Sequence, residues 1–282
     1  MTDRDVPGAV TAWDQAFQAM CARYGLSFTP MTAEDDLRLQ NRIRHFLPTD
    51  PGGSWVADDA GVVVGLSQSL VRQNYWVLSL LATVPGFQGH GLGRELLQLA
   101  LGNAEPNGPG TIQSSRDPAA MALYTSAGFS LHPAVNGHGT VRSGTANPDP
   151  RVRQADDREL ELVDAIDNAV RGCARTVDIV AMLQEPGARL LLMNDRGYAV
   201  VKDDRIVTLG ARDEDAAVAL LETFLAESGG DTTVEVMWLT ARQQWAIGML
   251  VATGVELRPY GAVMVRGLPG LPATYIPSGG YG

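Results

Sequence analysis

The sequence predicts a mixed α/β fold made of two halves of one design, and three observations predict it. A single order of helices and strands can be read twice along the chain. Phe129-Ser130-Leu131-His132-Pro133 lies over Val255-Glu256-Leu257-Arg258-Pro259, with Gly128 over Gly254 and Ala120 over Ala246. And the stretch Leu78 to Gly102 runs from a buried strand through a glycine-rich turn into an amphipathic helix without a break.

In chain order, Val10, Trp13, Phe17, Met20 and Cys21 recur on one face of a first helix, Ala9 to Tyr24, ended by Gly25. Thr32-Ala33-Glu34-Asp35 resembles a capping box, and Leu37, Leu39, Ile43, Phe46 and Leu47 continue a second helix to Pro48. Ser54–Ala57 and Val62–Gln68 flank Asp58-Asp59-Ala60-Gly61 as an antiparallel hairpin, and a strand from Tyr75 to Val84 follows. After the glycine turn, Leu92, Leu96, Leu97, Ala100 and Leu101 recur at helical spacing. Next come a strand at Thr111–Ser114, a helix at Asp117–Ala127 and a strand at Phe129–Val135. A turn at Asn136-Gly137 and a last strand near Thr140–Arg142 complete the half.

Ser143 to Pro150 is rich in turn formers and reads as a linker, so the expected division is residues 1–142, linker 143–150 and residues 151–282. Beyond it, helices are expected at Arg158–Arg171 and Val177–Leu183, then strands at Arg189–Met193, Tyr198–Lys202 and Arg205–Leu209. A helix at Ala216–Ala226, a strand at Val234–Leu239, a helix at Gln243–Ala252 and a strand at Ala262–Arg266 repeat the first order. The tail Tyr275–Gly282 is expected to pack across an interface between the halves.

The chain has 282 residues, 45% of them apolar, enough for two packed cores. Its net charge of −10 argues against nucleic acid as a partner and suits a cationic amine. Cys21 and Cys173 match no metal spacing, which predicts free thiols and no metal. The N-terminus lacks the positive charge and apolar run of a signal peptide, and no run of residues is apolar enough for a membrane span. A cytoplasmic protein without membrane association is therefore expected.

Gln88-Gly89-His90-Gly91-Leu92-Gly93 leaves the backbone bare where a helix begins. The first amides of a helix have no internal partner and the macrodipole is positive there, so an anion is favoured, and Arg94 can add a charge-assisted bond. The spacing is neither G-x-x-x-x-G-K-[ST] nor G-x-G-x-x-G with a following acid, so a nucleotide-triphosphate loop and a dinucleotide fingerprint are excluded.

Gln88-x-x-Gly91-x-Gly93 after a strand resembles the acyl-CoA pyrophosphate loop of the GNAT family, the GCN5-related N-acetyltransferases. Asp117-x-x-Ala120-x-x-Leu123-Tyr124-x-x-x-Gly128-Phe129 is similar to that family's second signature, with Asp117 in place of the usual Asn. The resemblance implies two tandem GNAT-like acyl-CoA N-acyltransferase domains, with any strand before the first helix short or absent. It implies acetyl-CoA as cosubstrate, held by Ala82, Thr83, Val84, the loop Gln88, Gly89, His90, Gly91, Leu92, Gly93, Arg94, and Asp117 and Ala120. Ala82 to Val84 would supply backbone N–H groups to the oxyanion and the pantetheine arm, and Tyr124 would be the general acid. It implies direct attack by a primary amine of a small molecule or peptide.

No residue of the central strand is an obvious base; Glu34, Asp35 and His45 are the nearest candidates, with water as the alternative. In the second half, Arg212-Asp213-Glu214-Asp215-Ala216-Ala217 replaces the loop and Leu250 replaces Tyr124, so that half resembles a degenerate domain unable to bind CoA in the usual way. A non-catalytic acyl-CoA-binding module is the competing reading, favoured by the missing base and opposed by Tyr124.

Overall fold

The computed structural model describes residues 1–229 and 232–282, which pack as two units, Met1–Gly108 and Pro109–Gly282. The break falls in Asn107-Gly108-Pro109-Gly110, where glycine and proline stop both helix and strand. Ser143–Pro150 has no helix or strand but is docked: the Asp149 amide donates to Thr223 Oγ1 at 2.9 Å. The division at 143–150 concerns which residues repeat which, and packing does not decide it.

The first unit holds α1 (Val6–Arg23), α2 (Ala33–Thr49), β1 (Ser54–Asp59), β2 (Val62–Arg72), β3 (Tyr75–Thr83) and α3 (Leu92–Leu101). A short 3-10 turn, and no strand, precedes α1. Thr32 caps α2 reciprocally with Asp35, as its sequence suggested. β1, β2 and β3 form an antiparallel meander, with Ala60 and Gly61 both at positive φ in the β1–β2 turn. On one face α1 and α2 enclose Leu66 and Leu80; on the other α3 packs so closely on β2 that a Cβ at Gly65 would stand 2.9 Å from Leu96 Cδ1.

The second unit holds β4 (Gly110–Ser114), α4 (Pro118–Ser126), β5 (Ser130–Thr140), β6 (Arg153–Ala155), α5 (Leu160–Arg171), α6 (Thr176–Leu183), β7 (Ala188–Met193), β8 (Gly197–Lys202), β9 (Arg205–Ala211), α7 (Glu214–Glu227), β10 (Thr233–Leu239), α8 (Gln244–Ala252), β11 (Glu256–Arg266) and β12 (Tyr275–Ile276). Its strands lie in the order β4-β11-β5-β10-β9-β8-β7-β6, with β12 beside β9. β5 and β11, the last strands of the two repeats, have changed places: β11 lies beside β4, and β5 beside β10.

That exchange corrects one expectation. Asn136-Gly137 is not a turn between two strands; β5 runs straight through it, paired on both edges. Gly137 is needed there because a Cβ would stand 2.6 Å from Leu250 Cδ1, and Asn136 Oδ1 accepts from the Trp238 amide where the β10–β5 register slips. The tail corrects another. Tyr275 and Ile276 are buried as a strand on β9 within their own unit.

The repeat is legible at atomic detail. Gly65 pairs with Thr83 and Gly197 with Ala211, each at the end of the middle strand. A Cβ at Gly197 would stand 2.8 Å from Leu220 Cδ1, as one at Gly65 would stand against Leu96. The register slips once in each pair, bulging Ser79 in β3 and Val207 in β9. Gly128 and Gly254 close α4 and α8 at φ 88° and 89°.

Candidate functional site

Thr83 ends β3, and residues 84–91 lead to α3, whose N-cap is Gly91 at φ 91°. Gly89 is also at positive φ, 81°, and a Cβ on either would meet open space. The chain can make this turn because glycine adopts that conformation freely, and the turn leaves its amides bare. Arg94 and Glu95 donate back to Gly91 O at 3.0 and 3.1 Å. Among the described residues the amides of Gly89, Gly91, Leu92 and Gly93 have no acceptor in the protein. Gly89, His90, Gly91 and Arg94 are exposed, and Leu92 and Gly93 half-buried. The arrangement is an open cluster of N–H donors on a helix N-terminus, suited to an anion.

Gln88 shapes this loop rather than lying open in it. Its Nε2 donates to Thr83 O at 2.8 Å, tying the loop to the strand end, and its Oε1 accepts from Arg23 Nη2 at 2.8 Å. Arg23, the last residue of α1, thus stands beside the glycine turn. Nothing in its local sequence marks it, since only the packing of α1 brings it there.

Of the three backbone groups expected to serve the cosubstrate, the Val84 amide is spent on Val64 O at 3.0 Å. Residues of an antiparallel strand alternate between edges, so Ala82 faces β2 as Val84 does, and Thr83 N–H points away from β2. Thr83 therefore presents its amide on the edge away from β2.

Tyr124 sits on α4 in the second unit, 6% exposed, with no hydrogen-bond partner for its hydroxyl among the described residues. Burial pushes its phenol well above the ordinary tyrosine range, and the charge of Asp117 adds to the shift. Asp117 caps α4, its Oδ1 accepting from the Ala119 amide at 2.9 Å, and Ala120 is half-buried in the helix's first turn. Of the base candidates, Asp35 is committed to its cap and to Arg38, Glu34 is exposed, and His45 lies edge-on to Phe46. None of the three is a free base poised over β3. Cys21 and Cys173 are free thiols, and no metal cluster is found among the described residues. No helix among them is long and apolar enough to cross a membrane.

In the second half the corresponding region is closed. Only Arg212 and Asp213 separate β9 from α7. Asp213 Oδ1 caps α7 by accepting from the Ala216 amide at 3.0 Å. Arg196 pairs with Asp213 and Asp215, and Arg151 with Asp149 and Asp215. Those cations hold both carboxyls below the usual aspartate range. The amide of Ala211, counterpart of Thr83, donates to Thr274 O at 3.1 Å. Side chains fasten the tail: Trp245 Nε1 donates to Ala273 O at 2.8 Å, Gln243 Nε2 to Pro272 O at 2.9 Å, and Thr208 Oγ1 to Ile276 O at 2.9 Å. Leu250 occupies the place of Tyr124, fully buried.

A glycine loop of bare amides between a middle strand and a helix, in a repeated α/β scaffold, is an arrangement suited to an anion. Residues 37–138 match the family described as Acetyltransferase (GNAT) domain. Residues 37–138 are thus a GNAT-type acetyltransferase domain. The structure resembles a Pyrococcus horikoshii protein provisionally described as an acetyltransferase, with TM-score 0.79 and 16% identity over 100% of this chain and 94% of that one. It also resembles GCN5-related N-acetyltransferases from Sphaerobacter thermophilus (TM-score 0.57, 15% identity, 97% of this chain and 96% of that one) and Kribbella flavida (0.56, 17%, 92% and 70%). At these identities the likeness concerns the fold. No curated protein matches the sequence.

Proposed function

We propose that the protein transfers acetyl from acetyl-CoA to a primary amine of a small molecule or peptide, using one cosubstrate site per chain. The observation that supports it best is the contrast between the open amides of Gly89, Gly91, Leu92 and Gly93 and the capped, ion-paired turn at Asp213–Asp215. The bare amides would take the diphosphate, with Arg94 and Arg23 as flanking cations. Thr83 N–H would polarise the thioester carbonyl and hold the oxyanion that forms on it. The amine nitrogen attacks the carbonyl carbon and gives up its proton to water, the C–S bond breaks as the tetrahedral intermediate collapses, and the leaving thiolate takes a proton from the Tyr124 phenol, which solvent then reprotonates. A buried tyrosine suits that task because it stays protonated at neutral pH and so has a proton to give when the thiolate leaves. Asp117 and Ala120 then serve the cosubstrate through the first turn of α4.

The test is calorimetry of the whole chain with acetyl-CoA, followed by a free-thiol release assay over a panel of amines. The expected result is one acetyl-CoA per chain and amine-dependent thiol release. Binding without release for any amine would favour a non-catalytic acyl-CoA-binding module, and two equivalents bound would overturn the inequality of the halves. Residence in the cytoplasm and independence from nucleic acid and membranes are further parts of this proposal, supported by the net charge of −10.

A further inference from the structure

α1 carries a carboxylate where its apolar stripe should continue. Val6, Val10 and Cys21 are buried at 0%, 1% and 2% exposure. Asp14 lies four residues after Val10 and seven before Cys21, so it shares their face of the helix. Its Oδ1 is buried and has no hydrogen-bond partner among the described residues. A carboxylate oxygen taken out of water without a donor is costly to the folded chain, and the cost is relieved when a cation or donor arrives.

The fold says where that donor would arrive. α1 is pinned at both ends of the relevant stretch: Gly8 lies against Val63, where a Cβ would stand 2.9 Å from Val63 Cγ2, and Arg23 donates to Gln88 in the glycine loop. At 1.5 Å per residue, Asp14 lies about 9 Å along the axis from Gly8 and about 13 Å from Arg23. Between those ends, neighbouring Trp13 packs in one cluster with Val63, Ala82 and Val84. Asp14 is therefore a half-buried carboxylate on the helix that covers the end of β3, the strand whose Thr83 amide is proposed to face the thioester.

We infer that Asp14 is the residue that receives the ammonium group of the acceptor. The inference rests on the reading of the protein as an amine acetyltransferase and names the recognition group that reading lacks. A carboxylate is the complement of a primary ammonium, and it gives the unpartnered oxygen three N–H donors to choose from. It also selects against neutral amides and alcohols, which would leave its charge unpaired.

The test compares the full-length chain with Asp14→Asn and Asp14→Leu. Binding of n-butylamine, phenethylamine and a lysine peptide is measured without acetyl-CoA, with the N-acetylated forms as neutral controls, and initial rates are measured with it. Asp14→Asn is expected to weaken amine binding and raise the amine KM by about 10- to 100-fold while leaving the affinity for acetyl-CoA unchanged. Asp14→Leu is expected to abolish selective amine binding and to raise Tm, because it replaces a buried unpaired oxygen by a side chain that suits the stripe. Unaltered amine binding and KM in Asp14→Asn would overturn the inference and leave the acetyltransferase reading standing. Amine binding that depends on Asp14 in a chain that transfers no acetyl would do the reverse. A Tm that falls in both variants, with amine binding unchanged, would show a purely structural aspartate.

Discussion

The β2-β3-α3 and β8-β9-α7 segments share their scaffold and differ at the one place where a ligand would sit. Both pair a glycine with the last residue of the middle strand, both bulge one residue of that strand, and both press a leucine onto the glycine. Yet residues 84–91 form an open glycine turn in the first, while Arg212 and Asp213 alone make the connection in the second. The strand-end amide that is outward-facing at Thr83 is bonded to Thr274 at Ala211. A packed scaffold constrains sequence through contacts that persist without a ligand. The loop is constrained by the ligand alone, so once binding is given up, capping aspartates and an internal strand can replace it.

Four experiments test how far the two segments are alike. The largest effect is expected from Gly91→Glu, which forces a side chain into φ 91° and puts a carboxylate among the bare amides. Acetyl-CoA binding should be lost with the circular dichroism spectrum intact; retained binding would place the ligand elsewhere. Tyr124→Phe should lower kcat by about 10² to 10⁴-fold with little change in acetyl-CoA affinity. Because burial raises this phenol, it does not titrate across the working range, so the pH profile should drop in height and keep its shape. An altered basic limb would contradict that.

Third, a chain ending at Leu271 loses β12 and its anchors on Gln243, Trp245 and Thr208. Its Tm should fall by about 10 °C or more, and the peptide corresponding to residues 272–282 should restore part of the loss when added in trans. An unchanged Tm would show that the tail merely covers the sheet. The smallest effect comes from a matched pair, Gly65→Ala and Gly197→Ala. Each pushes a methyl against the tip of a leucine, and each should cost about 1 kcal/mol in urea unfolding. A cost in one half and none in the other would mean that the two scaffolds are less alike than their registers suggest.

Periodicity in the sequence located most helices and the middle strands, because each buries one face against a neighbour. The glycine turn was legible for a different reason, since alternate glycines before a helix have few structural uses. Asn136-Gly137 misled because the pair is a strong hairpin signal, whereas here glycine makes room for Leu250 and asparagine bridges a bulge. No local pattern announces that β5 and β11 have exchanged neighbours, since strand pairing is decided between segments far apart in sequence. Gln88, a cosubstrate contact by resemblance, also braces the loop through Thr83 and Arg23, which no local pattern shows. Asp14 could have been noticed as a carboxylate inside an apolar stripe.

The tail strand also bears on how the protein is made. Ribosomes release a chain from its N-terminus, and Tyr275 emerges 65 residues after its partner Gly210 (275 − 210). At about 5 to 20 residues per second, that leaves the β9 edge without this partner for several seconds during each round of translation. An unpaired edge is a template for pairing with another chain, so crowded polysomes are where this protein is most exposed to misassembly. Slower translation after β9 would lengthen that exposure, and a chaperone that binds extended hydrophobic edges would shorten it.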